Sequence, residues 1–397
     1  MNQPFQVVIF RHANDIEGVP FEQAAERAFK GGITASGYLA TGEDLGVDLK
    51  TFNACPHSSV SIQMLLDQAC HTLLIAIIDF PALDDALFLD TLANIWSLIR
   101  RSGKRHDMLL LTLDERVADK LRDKRPILQS LTSYTPQQLG ERAIRTVLFS
   151  LRVLHEARVL LARALSPSPS GQPARALRLF ISHAKLDGLP LAQSLQHQIQ
   201  TIPWLTSFYD ATDLTTETDW EQALEAATVS SLFIILRTDA YEQRWWCRQE
   251  VFWCELHAVP AILVEARPGL AYPAGDLPLE TMPVIRIPDG NLLRILNAAL
   301  RENLRHLLFQ RRIQEMRDGG CIPAKAEIRV FSYPPSMPAL LHVCSELATS
   351  STRPIFILYP DPPLRTGLYE AAHALVAATA PGVQLLTPGA LTAKPVS

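Results

Sequence analysis

The sequence predicts an α/β protein built on parallel sheets with helices on both faces, and three observations predict it. Short apolar runs alternate with helix-length amphipathic stretches along most of the chain, as strands do when crossover helices join them. The order of these elements is similar on the two sides of one Pro/Ser-rich stretch, "LSPSPSGQPA" at 165–174, which reads as a linker. With 397 residues, 48% hydrophobic and only 20% charged, the chain has material for two or three packed cores.

Each element follows from its own pattern. On the N-terminal side "FQVVIFRHA" is a buried-strand run that ends at His12. "SIQMLLDQACHTLLIAIID" is a helix feeding an apolar run that stops at Asp79. "FLDTLANIWSLIRR" is a helix, "HDMLLLTLD" a strand, and an amphipathic helix over 137–165 closes the unit. Past the linker, "ALRLFISHA" ends at His183 and "WEQALEAATVSSLFIILRTD" at Asp239. "WWCRQEVFWCEL", "VPAILVEA" and a helix over 291–317 follow in the same order. Two units of one pattern suggest a duplicated module. After the turn-rich "DGGCIPAKAE" comes a smaller βαβαβ pattern, from "EIRVFSY" to "VQLLTP". The boundaries expected are therefore 1–165, 174–317 and 325–390, the last small enough to dock on another module.

Composition narrows the function classes. A net charge of −4 with pI near 6.3 supplies no field for nucleic acid or an anionic membrane. The cysteines Cys55, Cys70, Cys247, Cys254, Cys321 and Cys344 form no CxxC pair and no His-containing zinc spacing, so no metal site is expected and the thiols read as reduced. The start "MNQPFQVVIF" has no basic stretch followed by a long apolar one, so no secretory leader is expected, and no apolar run approaches membrane-spanning length. A cytoplasmic location is expected. "GGITASGYLATGEDLG" has neither dinucleotide nor P-loop glycine spacing. The arginine-rich helix "RENLRHLLFQRRIQEMR" could attract an acidic partner or nucleic acid, but a solvated helix face is the commoner reading of such a run.

Chemistry concentrates in the second unit. Ser182, His183, Asp210 and Asp239 all fall where strands end, the side on which open α/β sheets bind ligands. Glu250 lies near the start of the following helix, with Trp246, Trp253 and Cys254 at helical spacing around it. "LRLFISHAKLDG", "SFYDATDLTTETDWEQAL" and "WWCRQE", in that order, resemble the three boxes of Toll/interleukin-1 receptor (TIR) domains of the bacterial NAD-cleaving type. The likeness covers roughly residues 174–316 and implies a flavodoxin-like module, with the N-terminal unit a degenerate copy.

The resemblance implies a cytoplasmic NAD glycohydrolase that releases nicotinamide and linear or cyclic ADP-ribose in antiphage defence, activated by self-association of TIR modules. Glu250 is then the catalytic carboxylate. Phe180, Ser182, His183, Asp210, Trp220 and Trp246 are the expected substrate-binding residues, and 211–219 is the expected lid. No cofactor is implied, since NAD is the substrate; a sensor or effector protein is an implied partner. The loop "ATDLTTETDW" departs from the family by lacking a glycine before its Trp. In the N-terminal copy Asp90 takes the place of Glu250, and its carboxylate is one methylene shorter. Two rival expectations are a non-enzymatic TIR adaptor and a nucleotide-sensing regulatory protein. The tryptophans of the third box are expected mainly in the core.

Overall fold

The computed structural model describes residues 3–31, 44–53, 59–103, 105–125, 127–128, 132–134, 144–165, 177–209, 231–267, 281–287, 290–347 and 354–393. The chain divides into two compact units, Met1–Ala174 with Leu296–Arg311, and Arg175–Ile295 with Arg312–Ser397.

Unit 1 carries β1 (Gln3–Arg11), β2 (Asp48–Phe52), β3 (Ala69–Ile78), β4 (His106–Thr112) and β5 (Thr132–Tyr134) in the order β2-β1-β3-β4-β5. Every neighbouring pair is parallel. Helices cover both faces of such a sheet, which is why "TLLIAII" runs apolar without alternation. Six helices are described in order: α1 (Val19–Lys30), α2 (Ser59–Asp67), α3 (Phe80–Asp84), α4 (Ala86–Arg101), α5 (Glu115–Lys124) and α6 (Arg145–Leu165). On one face Val8, Phe10, Leu74, Ala76 and Ile78 meet Leu89, Leu92 and Ile95 of α4. Asp85 and Asp114 cap α4 and α5, accepting from the Phe88 and Arg116 amides at 3.0 and 2.7 Å.

Unit 2 repeats the arrangement with β6 (Leu177–His183), β7 (Leu205–Tyr209), β8 (Ser231–Arg237), β9 (Ala261–Glu265) and β10 (Val284–Arg286), ordered β10-β9-β8-β6-β7 and again all parallel. Counted within each unit, both sheets have the flavodoxin-like order 2-1-3-4-5. The fold is α/β with parallel sheets, as the sequence predicts. Its described helices are α7 (Leu189–Gln200) and α8 (Trp245–Leu256), followed by α9 (Leu292–Asp318).

A third, three-stranded parallel sheet of β11 (Glu327–Val330), β12 (Ile355–Leu358) and β13 (Val383–Leu386) belongs to unit 2 as well, with α10 (Met337–Leu347), α11 (Thr366–Thr379) and α12 (Pro388–Ala393). It packs on the far end of α8. Phe252 and Leu256 join its core, the Ser332 hydroxyl donates to the Ala258 carbonyl, and the Ser336 amide and hydroxyl both donate to Glu255. The linker from residue 166 and the first part of the helix expected over 137–165 lie outside the described residues. Among the described residues no helix is long and apolar enough to cross a membrane.

Candidate functional site

The described part of the second sheet's carboxyl edge is built from the loops after β6 and β8 and from α8. Pairing of Ser182 with Ile235 and His183 with Leu236 brings the ends of β6 and β8 level. The chain leaves these two strands toward opposite sides of the sheet, so a crevice is expected between their loops. Asp187 spans it: its carboxylate accepts from the Thr238 hydroxyl at 2.6 Å and the Ala240 amide at 2.9 Å. Gly188 makes the turn possible, because a Cβ there would stand 2.9 Å from the Ala184 carbonyl oxygen.

That clamp sets Tyr241, in the short turn after β8, beside Ser182. Their hydroxyl oxygens are 2.6 Å apart, and the Ser182 hydroxyl donates to Oε2 of Glu250. Since Ser182 has one proton and spends it on the carboxylate, Tyr241 is the donor to Ser182. Burial, then the Glu250 charge, raises the Tyr241 phenol well above its ordinary value, which keeps it a neutral donor. All three groups are buried, Glu250 at 6% exposure. The result is a fixed Tyr241–Ser182–Glu250 relay ending in a charge-assisted bond.

The other expected residues separate. Phe180 is a core residue stacked on Phe233 at 4.3 Å. His183 is buried with Nδ1 3.3 Å from the Ile181 carbonyl. Trp246 is 47% exposed, and Trp245, edge-on to it at 4.6 Å, is 64% exposed. The expectation that these tryptophans belong to the core is therefore corrected for Trp245 and Trp246; Trp253, further along α8, is partly buried against the core. Trp245 and Trp246 occupy the first turn of α8, ahead of the buried stripe of Cys247, Glu250, Val251 and Cys254. Asp210, Trp220 and the expected lid 211–219 lie outside the described residues. Asp90 is half exposed and pairs with Arg125 on the surface of α4, so it is no counterpart of Glu250.

Sequence patterns did not reveal Tyr241, Asp187 or Arg237. Arg237 ends β8 almost fully buried, paired with Glu242 and, at 3.4 Å, with Glu265. Burial alone would raise the Glu265 carboxyl, but its bonds to Arg267 and the nearby Arg237 hold it below the ordinary value. The signal was a charged residue closing an apolar strand, "LFIILR", a place where a partner is required. Among the described residues no cluster of three or more His, Cys, Asp or Glu is arranged to hold a metal.

No family model matches the chain, and no curated protein does. Among solved structures it is similar to the tagatose-6-phosphate ketose/aldose isomerase of Escherichia coli, at 11% identity over 77% of this chain and 82% of that one, TM-score 0.21. It is also similar to the C-terminal domain of glucosamine-fructose-6-phosphate aminotransferase from Francisella tularensis, at 8% identity over 78% and 84%, TM-score 0.19. These are sugar-phosphate enzymes and not TIR domains. The TIR resemblance is accordingly corrected. With it go NAD cleavage, NAD as the ligand, assembly through TIR modules, the adaptor role and antiphage defence. The three boxes are short stretches at strand ends and a helix start, places that the fold itself supplies, and a shared fold does not carry a shared function. At these TM-scores the likeness carries no argument about substrate.

Proposed function

We propose that unit 2 binds a small polyhydroxylated molecule of the sugar class at the carboxyl edge of its sheet, and that Glu250 is the acid–base group acting on it. One observation carries this: a buried carboxylate, held still by the Ser182–Tyr241 relay, has a half-exposed Trp246 one helical turn before it on α8. A sugar offers both the partners such a site needs. Its hydroxyls donate to a carboxylate, and its C–H faces lie against an indole. The pre-set geometry supports chemistry as well as binding, because the carboxylate need not reorganise when a ligand proton reaches it. The reading spans an enzyme or a sugar-binding protein.

Calorimetry and proton NMR of the full chain with aldoses, ketoses and their phosphates test it. Glu250→Gln is expected to weaken binding about 30-fold and to remove turnover, and Trp246→Ala to weaken it about 10-fold with an unchanged melting temperature. If nothing in the panel binds, or Glu250→Gln binds as the native chain does, the proposal fails.

A further inference from the structure

A second candidate lies in unit 1, on residues that the proposed activity does not use. A pocket of about 310 Å³ opens between α3 and α5, lined by Phe80, Leu83, Asp84, Lys120, Asp123 and Lys124. It is at the lower end of the roughly 300–1,000 Å³ typical of small-molecule sites. Because α3 follows β3 directly, Phe80, Leu83 and Asp84 stand just past the carboxyl end of that strand, the side on which this fold customarily binds ligands.

Its charges are only half spent. Lys124 donates to the Leu83 carbonyl at 2.6 Å and lies 3.8 Å from Asp84. Arg116, at the rim, is held by Asp114 at 2.9 and 3.0 Å. Lys120 and Asp123 are different: among the described residues neither makes an ion pair. Lys120 has its ammonium 5.5 Å from the centre of the Phe80 ring, and Arg116 lies over the same ring at 5.2 Å. Among the described residues the pocket thus presents one cation that touches only an aromatic ring, one anion without an ion pair, and an apolar floor of Phe80 and Leu83. A singly charged ligand would satisfy one charge and be repelled by the other. A ligand with both charges a short distance apart and an apolar remainder satisfies all three.

We infer that this pocket binds a small zwitterion of the amino-acid type, its carboxylate on Lys120, its ammonium on Asp123 and its side chain on Phe80 and Leu83. The probe is L-leucine, compared with 4-methylpentanoate, which lacks the ammonium, and 3-methylbutylamine, which lacks the carboxylate, all by calorimetry on the full chain. Leucine is expected to bind at least about 10-fold more tightly than either analogue. Lys120→Met and Asp123→Asn should each cost leucine about 10-fold, and Lys120→Met should leave 3-methylbutylamine unaffected. Both replaced residues are on the surface of α5, so folding is preserved, and a far-ultraviolet spectrum verifies it. Absence of leucine binding, or equal binding of the singly charged analogues, overturns the inference.

Discussion

Asp15 illustrates what a single residue can impose on the molecule. It is fully buried after β1, with Oδ1 accepting from the Gly18 amide at 2.7 Å and Oδ2 without a hydrogen-bond partner among the described residues. Burial is the main reason its carboxyl is raised to about 6; the Gly18 amide lowers it, Asp79 raises it, and Arg11 and His12 lower it. A raised native value means the folded chain holds this proton where the unfolded chain, near 3.8, has lost it. The stabilising contribution is complete below about pH 3.8 and disappears as the pH passes about 6, with an upper bound of about 3 kcal/mol. Asp15→Asn keeps the acceptor for Gly18 and cannot ionise. Urea unfolding from pH 4 to 8 should therefore show the native chain losing stability relative to the variant across that window, and parallel curves would refute it. Nothing in "RHANDIEG" announces this, because a polar loop looks the same whether its aspartate faces water or the sheet. The burial of Glu250 was legible for a different reason: Trp253 and Cys254, one turn further along the helix, are apolar and share its face, and such a stripe implies burial. Its partners Ser182 and Tyr241 come from other elements 68 and nine positions away, and no spacing rule connects them.

At the scale of elements, α8 is the part on which most of unit 2 converges. Its first turn exposes Trp245 and Trp246, its middle buries Glu250 and Cys254, and its end presents Glu255, 1% exposed, to Ser336. Glu255 is raised by burial and lowered again by its two bonds from Ser336. A bond to a buried carboxylate is worth about 1.5–3 kcal/mol. Ser336→Ala deletes the 2.7 Å hydroxyl bond and keeps the amide one, so a loss in that range is expected in denaturant unfolding. Amide exchange should quicken in β11 and α10 before it does in β6 and β8, and a change below about 0.5 kcal/mol would remove this latch from the account. The strands themselves were well legible: β1, β3, β4, β6, β8 and β9 coincide with continuous apolar runs ending in a polar residue. Such runs are forced by burial on both faces of a parallel sheet. The latch was not, since an amphipathic pattern reports that a helix face is buried without saying what covers it.

For the whole molecule, what covers a helix face decides how the chain divides. Unit 1 is discontinuous: Met1–Ala174 is completed by Leu296–Arg311, the middle of α9. That segment buries Leu296, Leu300 and Leu304 almost completely. Its Arg301, 3% exposed, donates to the Arg27 and Ala28 carbonyls at the C-terminal end of α1. A guanidinium there meets orphan carbonyls and the negative end of the helix dipole, and for this residue the solvated face expected from the sequence is corrected. His306 is buried beside it, lowered by that burial to about 4, so it is neutral at physiological pH. Three buried leucines contribute at most about 5–8 kcal/mol, comparable with the roughly 5–15 kcal/mol that holds a domain together. A fragment of residues 1–174 should therefore keep much of its helical far-ultraviolet signal but lack cooperative melting and bind a hydrophobic dye. Adding a synthetic 291–318 peptide in trans should restore a sigmoidal melt, and Arg301→Ala in the peptide should weaken that rescue. A fragment that melts cooperatively alone, indifferent to the peptide, would show that the linker at 166–174 is a true boundary and that α9 adds nothing to the first core.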